Sequence, residues 1–181
     1  MKKYLATFVL ILMPSLFFGQ SAFDKYDGLD GVTAVIVNKK MFEMIGGIKP
    51  SDKDARQYMD LVKKLESLKV FVTSNRKLTA DMKATSSKYL KTAALEELMR
   101  VNSGGKNTMI YVKSGTSSSK VRELLMFIEG GSGKDDETVL MSLKGNFALS
   151  DLSLLTDKMN LPGGDQLKKG TIGSKCAKCP K

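Results

Sequence analysis

Apolar positions along this chain fall into three regimes. The first is an almost unbroken apolar run from Tyr4 to Phe18, set between Lys2-Lys3 and the small or polar Gly19, Gln20, Ser21 and Ala22. A run of about 15 residues falls short of the roughly 20 that cross a bilayer, so this order reads as a secretory signal peptide, residues 1–20, cut between Gly19 and Ala22. An uncleaved anchor is the alternative. A lipoprotein is disfavoured because no cysteine follows the run to carry the lipid.

The second regime has a largely helical period. Phe23 to Asp30 reads as a short amphipathic turn or helix ended by Gly28 and Gly31. Val32 to Val37, rich in branched residues, predicts a buried strand. Lys39 to Ile45 predicts a helix with Met41, Phe42 and Ile45 on one face, stopped by Gly46 and Gly47. Ser51 is placed to cap the next helix, with Asp52 and Asp54 in its first turn and Ala55, Met59, Val62 and Leu65 along one stripe. Leu68 to Thr73 follows as a strand. Thr79 then caps a long helical stretch to about Val101, with a break expected near Thr85-Ser86-Ser87. Its inner face is Leu90, Ala94, Leu98 and Val101, and Gly104 and Gly105 end it.

In the third regime the period falls to two. Asn107–Lys113, Val121–Glu129 and Glu137–Lys144 predict three strands joined by Gly- and Ser-rich loops, an antiparallel meander. A last helix is expected from the Ser150 cap, with Leu152, Leu155 and Met159 inward and Asn160 and Pro162 at its end. The predicted fold is α+β: about five strands, mostly antiparallel, with helices packed on one face and a C-terminal meander followed by a helix. One domain spans residues 21–162, and a flexible lysine-rich tail spans 163–181.

With 181 residues and 42% hydrophobic content, the chain can bury a substantial core. The net charge of +10 is unevenly spread. Two lysines lie in the leader and five (Lys168, Lys169, Lys175, Lys178, Lys181) in the tail, which leaves 22 basic against 19 acidic residues from Ser21 to Leu167. The excess is lysine, with only Arg56, Arg76, Arg100 and Arg122 as arginines. Nucleic-acid readers favour the bidentate arginine fork, so nucleic acid is not an expected partner. Weak contact of the tail with an anionic membrane surface is expected, with no transmembrane span once the leader is removed. Histidine is absent. That excludes Ser-His-Asp and Cys-His nucleophiles, histidine metal ligands and an imidazole pH switch.

The one reactive spacing is Cys176-Ala177-Lys178-Cys179. It lacks the strand and helix of a thioredoxin site and the histidine of a c-type haem motif, and a structural zinc would need two more ligands. A local disulfide, a redox or exchange pair, and a bridge between subunits or to a metal remain open. Gly130 to Lys134 resembles a phosphate loop and fails as one. Ile128 stands where a glycine is needed, Asp135 replaces the Ser or Thr, and the loop joins two strands. The acids Asp24, Asp27 and Asp30, and Asp135, Asp136 and Glu137, lack the spacing of a calcium loop and read as solvated turns. Met41 and Met44, three apart, could bind a soft metal, but methionines such as Met59, Met109, Met126, Met141 and Met159 sit at core positions. No cofactor is expected.

Four segments carry a resemblance: Phe23-Asp24-Lys25-Tyr26, Gly31 through Phe42, Ser142-Leu143-Lys144-Gly145-Asn146, and Leu149-Ser150-Asp151-Leu152. Together they resemble the exported bacterial family known as domain of unknown function four-two-five-two, over roughly Phe23 to Asn160. The resemblance implies secreted or lipid-anchored envelope proteins, often encoded near extracytoplasmic sigma factors, and implies no catalytic residues. The expectation is therefore an exported protein of the periplasm or envelope. It would be a non-enzymatic binding or regulatory module, linked to an envelope stress response, whose partner is an envelope protein or a small ligand. Such a module predicts a surface groove or apolar patch without a buried polar cluster. The competing functions are a thiol-active protein using Cys176 and Cys179, and a hydrolase built from carboxylates or a Ser-Lys pair.

Overall fold

The computed structural model describes residues 22–47, 49–50, 52–103, 105–115, 120–130, 137–148 and 151. A short 3-10 turn, Asp24–Tyr26, opens the described chain. Strand β1 is Thr33–Asn38, helix α1 Lys39–Gly46, helix α2 Lys53–Val62 and strand β2 Leu65–Thr73. Helix α3, Arg76–Ala93, leads to strands β3 (Glu96–Ser103), β4 (Lys106–Ser114), β5 (Lys120–Glu129) and β6 (Thr138–Ala148). The fold is α+β, with an open six-stranded sheet in the order β1-β2-β6-β5-β4-β3 and every neighbouring pair antiparallel.

The connections explain that order. Helices α1 and α2 link β1 to its neighbour β2. Helix α3 carries the chain from β2 to β3 at the far edge. The meander β3-β4-β5-β6 then steps back, and β6 closes the gap beside β2.

Alternation along the strands gives the sheet two apolar faces. On the first face, one row runs Val37, Leu68, Leu143, Leu124 and Val112, and the next runs Val35, Val70, Met141, Met126, Ile110 and Met99. Phe42 of α1 and Leu61 and Val62 of α2 belong to this core. On the second face Phe71, Leu140, Phe127, Leu125 and Met109 pack with Met82 of α3 and with Phe23 and Tyr26 of the N-terminal turn. Each such side chain contributes about 1.5–3 kcal/mol when fully buried.

Several expectations are corrected here. The helices cover both faces, because α3 must cross the sheet to reach the far edge while α1 and α2 stay on the other side. Six strands lie among the described residues, because the segment expected to end the long helix forms β3. Ala94 takes a left-handed conformation (φ 53°) and stops α3. The apolar residues beyond it fit a period of two as well as one of 3.6, and pairing of Met99 with Ile110 and of Val101 with Thr108 decides for strand. Leu98, expected inward, is 49% exposed. Strand β1 is an edge, with most of its residues exposed, where a buried strand is predicted.

Caps also move. Asp52 rather than Ser51 caps α2, its side chain accepting from the Ala55 N–H at 2.7 Å. Asn75 caps α3 one turn ahead of Thr79, whose hydroxyl instead donates to Thr138 Oγ1 at 2.9 Å. Leu65, expected on the helical stripe, begins β2. The expected leader, the helix containing Leu152, Leu155 and Met159, and the tail lie outside the described residues.

Strand β6 is longer than its predicted span and passes through Gly145. A Cβ there would press on the Lys64 carbonyl, which accepts from the Asn146 N–H at 2.9 Å. Glycine is what allows β6 to run against the start of β2.

Candidate functional site

Three features could carry function: the polar groups on the second face, a cleft at one end of the sheet, and the bare edge β1. The polar groups are built on β5 and β6. Glu123 and Lys144 are directly opposed across these strands and point to the second face. The Glu123 side chain is only 8% exposed, and Lys144 Nζ lies 3.6 Å from its Oε1. Tyr89 of α3 donates its hydroxyl to the same oxygen at 2.7 Å. The Lys144 ammonium stands 5.8 Å from the centre of the Tyr89 ring, and Phe23 meets that ring edge-on at 5.0 Å. Burial, then the neighbouring carboxylate, pushes the Tyr89 phenol well above its ordinary pKa. The phenol is thus held protonated as a donor, and the carboxylate is matched by a lysine. This arrangement fastens α3 to the sheet.

A second group fastens the N-terminal turn to α3. Tyr26 donates to Asp81 Oδ2 at 2.7 Å and is 2.9 Å from Thr85 Oγ1. Lys25 Nζ is 2.5 Å from the same Asp81 oxygen. Hydrogen bonds from Lys25 and then Tyr26 hold the Asp81 carboxyl below its usual pKa. Burial raises that of Tyr26. Asp24 pairs with Lys69 of β2, so the turn is tied to the sheet as well. The expected binding module was to lack a buried polar cluster; against that expectation the second face holds one buried carboxylate, Glu123, matched by Tyr89 and Lys144. These three are far apart in sequence, and their partnership arises only when α3 lies on β5.

The cleft, of about 410 Å³, lies where β1 begins and β2 ends. Its lining contains one carboxylate, Glu137, with Thr33, Thr73, Ser74 and Asn75. Thr73 Oγ1 already donates to the Gly31 carbonyl at 2.6 Å and accepts from the Asn75 N–H, and the Asn75 side chain accepts from Lys77. Among the described lining residues no acid–base pair is formed in which one group activates another.

The edge is chemically plainer and more unusual. β1 reads Thr-Ala-Val-Ile-Val-Asn, with no charge, no proline and no register shift against β2. Val35 is 48% and Ile36 42% exposed. An edge strand has one neighbour, so alternate backbone N–H and C=O groups turn away from it unpaired. On α1, whose N-cap is Asn38 of β1 itself, Met41 (50% exposed) and Met44 (64%) lie three apart on one flank of the helix. The far edge β3 is built differently. It carries Glu96, Glu97 and Arg100, has a register shift between Glu97 and Met99, and ties Arg100 to Glu97 at 2.6 Å.

Of the residues singled out in the sequence, Cys176, Cys179, Asp135 and Asp136 lie outside the described residues. The loop resembling a phosphate loop joins β5 and β6, which pair antiparallel. Met109, Met126 and Met141 are buried in the core, as predicted. Among the described residues, no three His, Cys, Asp or Glu side chains gather to hold a metal ion, and no helix is long and apolar enough to cross a membrane. Glu123 was legible only as an acid on the Glu123-Leu125-Phe127 face of a strand. For the bare edge, the available signal was the lack of any charge in β1. A protein-family model, described as Domain of unknown function (DUF4252), matches residues 26–155. No curated protein and no solved structure matches the chain.

Proposed function

This chain belongs to the family described as Domain of unknown function (DUF4252), and from that premise we propose that it works as a non-enzymatic binding module of the cell envelope. The observation that carries this reading is the contrast between the two sheet edges. β3 bears the charges and the bulge that discourage further strand pairing, and β1 bears neither. β1 is built to accept an extended, uncharged segment by strand addition, in which backbone hydrogen bonds supply affinity and alternate side chains supply specificity. Val35, Ile36, Met41 and Met44 would supply the apolar contacts. The polar residues of the second face serve to hold α3 and the N-terminal turn, which together keep β1 in place. The leader pattern supports export, and the family resemblance supports a place near an envelope stress response.

The test is a photoreactive residue placed singly at Val35, Met44 or Leu98 of the protein expressed in its own host. Adducts are expected at Val35 and Met44, with little at Leu98 on the opposite edge. Equal adducts at all three positions, or none at Val35, would overturn the reading.

A further inference from the structure

We propose that the strand added to β1 is the β1 of a second copy of this chain, so that two six-stranded sheets continue as one across a two-fold axis. This rests on the edge-binding reading above and names its partner. Two-fold antiparallel pairing within one sheet keeps the first face on the first side and the second on the second, so facing residues share parity. With Val35 on the axis, Val35 faces the partner's Val35, Ala34 faces the partner's Ile36, and Thr33 faces the partner's Val37. Every pair is uncharged, and all five residues involved in each half, Thr33 to Val37, are apolar or β-branched, the combinations that stabilise cross-strand contacts.

The strand ends agree with this register. In an antiparallel pair the segment entering β1 in one copy lies beside the segment leaving β1 in the other. Exposed Asp27 and Asp30 precede β1, and exposed Lys39 and Lys40 follow it, so each end brings acids to lysines. A parallel pairing would instead set the lysines of the two copies side by side and turn the faces over. The two copies of α1, which lies against β1 and β2, come to the same side of the joined sheet, flanking the seam with Met41 and Met44. The contact is isologous and closes at two copies, so it caps the edge without building a fibre.

Sedimentation equilibrium of the processed protein recovered after export is expected to give twice the mass of one chain. Val35→Lys puts two like charges opposite each other on the axis and is expected to halve the mass with an unchanged circular dichroism spectrum. Leu98→Lys is expected to leave it doubled. In a Cys176→Ser/Cys179→Ser background, Val35→Cys should be joined to its copy by a short bis-maleimide and Leu98→Cys should not. A single-chain mass at the highest soluble concentration, or a double mass that survives both Val35→Lys and Ile36→Lys, would overturn the proposal. The photoreactive adduct at Val35 separates the two ideas. An adduct of two copies supports both, an adduct with another protein keeps the edge reading and overturns self-pairing, and no adduct overturns both.

Discussion

Strands β6 and β1 are separated only by β2, and both are dominated by branched and long apolar side chains. Their fates differ. The first six residues of β6 are all buried, Lys144 follows half-buried, and Phe147 near its end is buried again. In β1 no residue is fully buried. A central strand has neighbours on both sides and cover on both faces, so even its polar residues must find partners, as Lys144 does with Glu123. An edge strand has one neighbour, and its apolar residues stay in water until something else covers them. Apolar character thus predicts that a segment is a strand, and neighbours decide how deep it lies.

The comparison can be sharpened by substitution, beginning in the centre. Leu143→Ala removes a fully buried side chain flanked by Leu68 and Leu124 and is expected to cost about 2–5 kcal/mol. Urea unfolding measures this. A shift of the midpoint no larger than that of an edge substitution would break the contrast.

Tyr89→Phe removes the phenol that donates to Glu123 and is expected to cost about 1.5–3 kcal/mol, the range for a hydrogen bond to a charged group. Its pH dependence has a definite sign. The Tyr89 phenol is raised in the folded state, so the native protein keeps this proton where the unfolded chain releases it. That contribution is complete below the ordinary tyrosine value of about 10 and is lost as pH rises through the folded value. Unfolding measured between neutral pH and strongly alkaline pH should show stability falling, with a shallower fall in Tyr89→Phe. Equal slopes would mean that the clasp does not differ from an exposed tyrosine.

At the junction between edge and cover, Asn38→Ala removes the side chain that accepts from the Met41 N–H at 3.1 Å and is expected to cost about 1 kcal/mol. Thermal unfolding reads this directly, and no change would show that α1 is held by the packing of Phe42 and Ile45 rather than by its cap. The smallest effect is expected on the edge itself. Val35→Thr keeps the β-branch on a residue already half in water and is expected to shift stability by less than about 0.5 kcal/mol at concentrations where the chain is single. A loss as large as that of Leu143→Ala would mean that β1 is covered rather than bare.

Much of the fold was legible because local patterns and neighbours agreed. The predicted spans Asn107–Lys113 and Val121–Glu129 nearly match β4 and β5. The predicted helix at Lys39–Ile45 is α1. Where two periods fitted the same residues, as at Leu95 to Val101, local pattern could not choose, and pairing with β4 made the choice. Glu123, Tyr89 and Lys144 could not be joined from sequence, since 34 residues separate the first two and their meeting depends on the path of α3 across β5.

The sequence by itself determined the alternation of the strands, the amphipathic helices, the absence of any histidine chemistry and the uncharged character of β1. These are properties of single residues and their spacing along the chain. Only the tertiary structure decided that helices cover both faces, that a sixth strand closes the far edge, and that among the described strands β1 has a neighbour on one side alone. Those outcomes depend on strand order, and order is set by which distant surfaces bury one another, a contest no local period records.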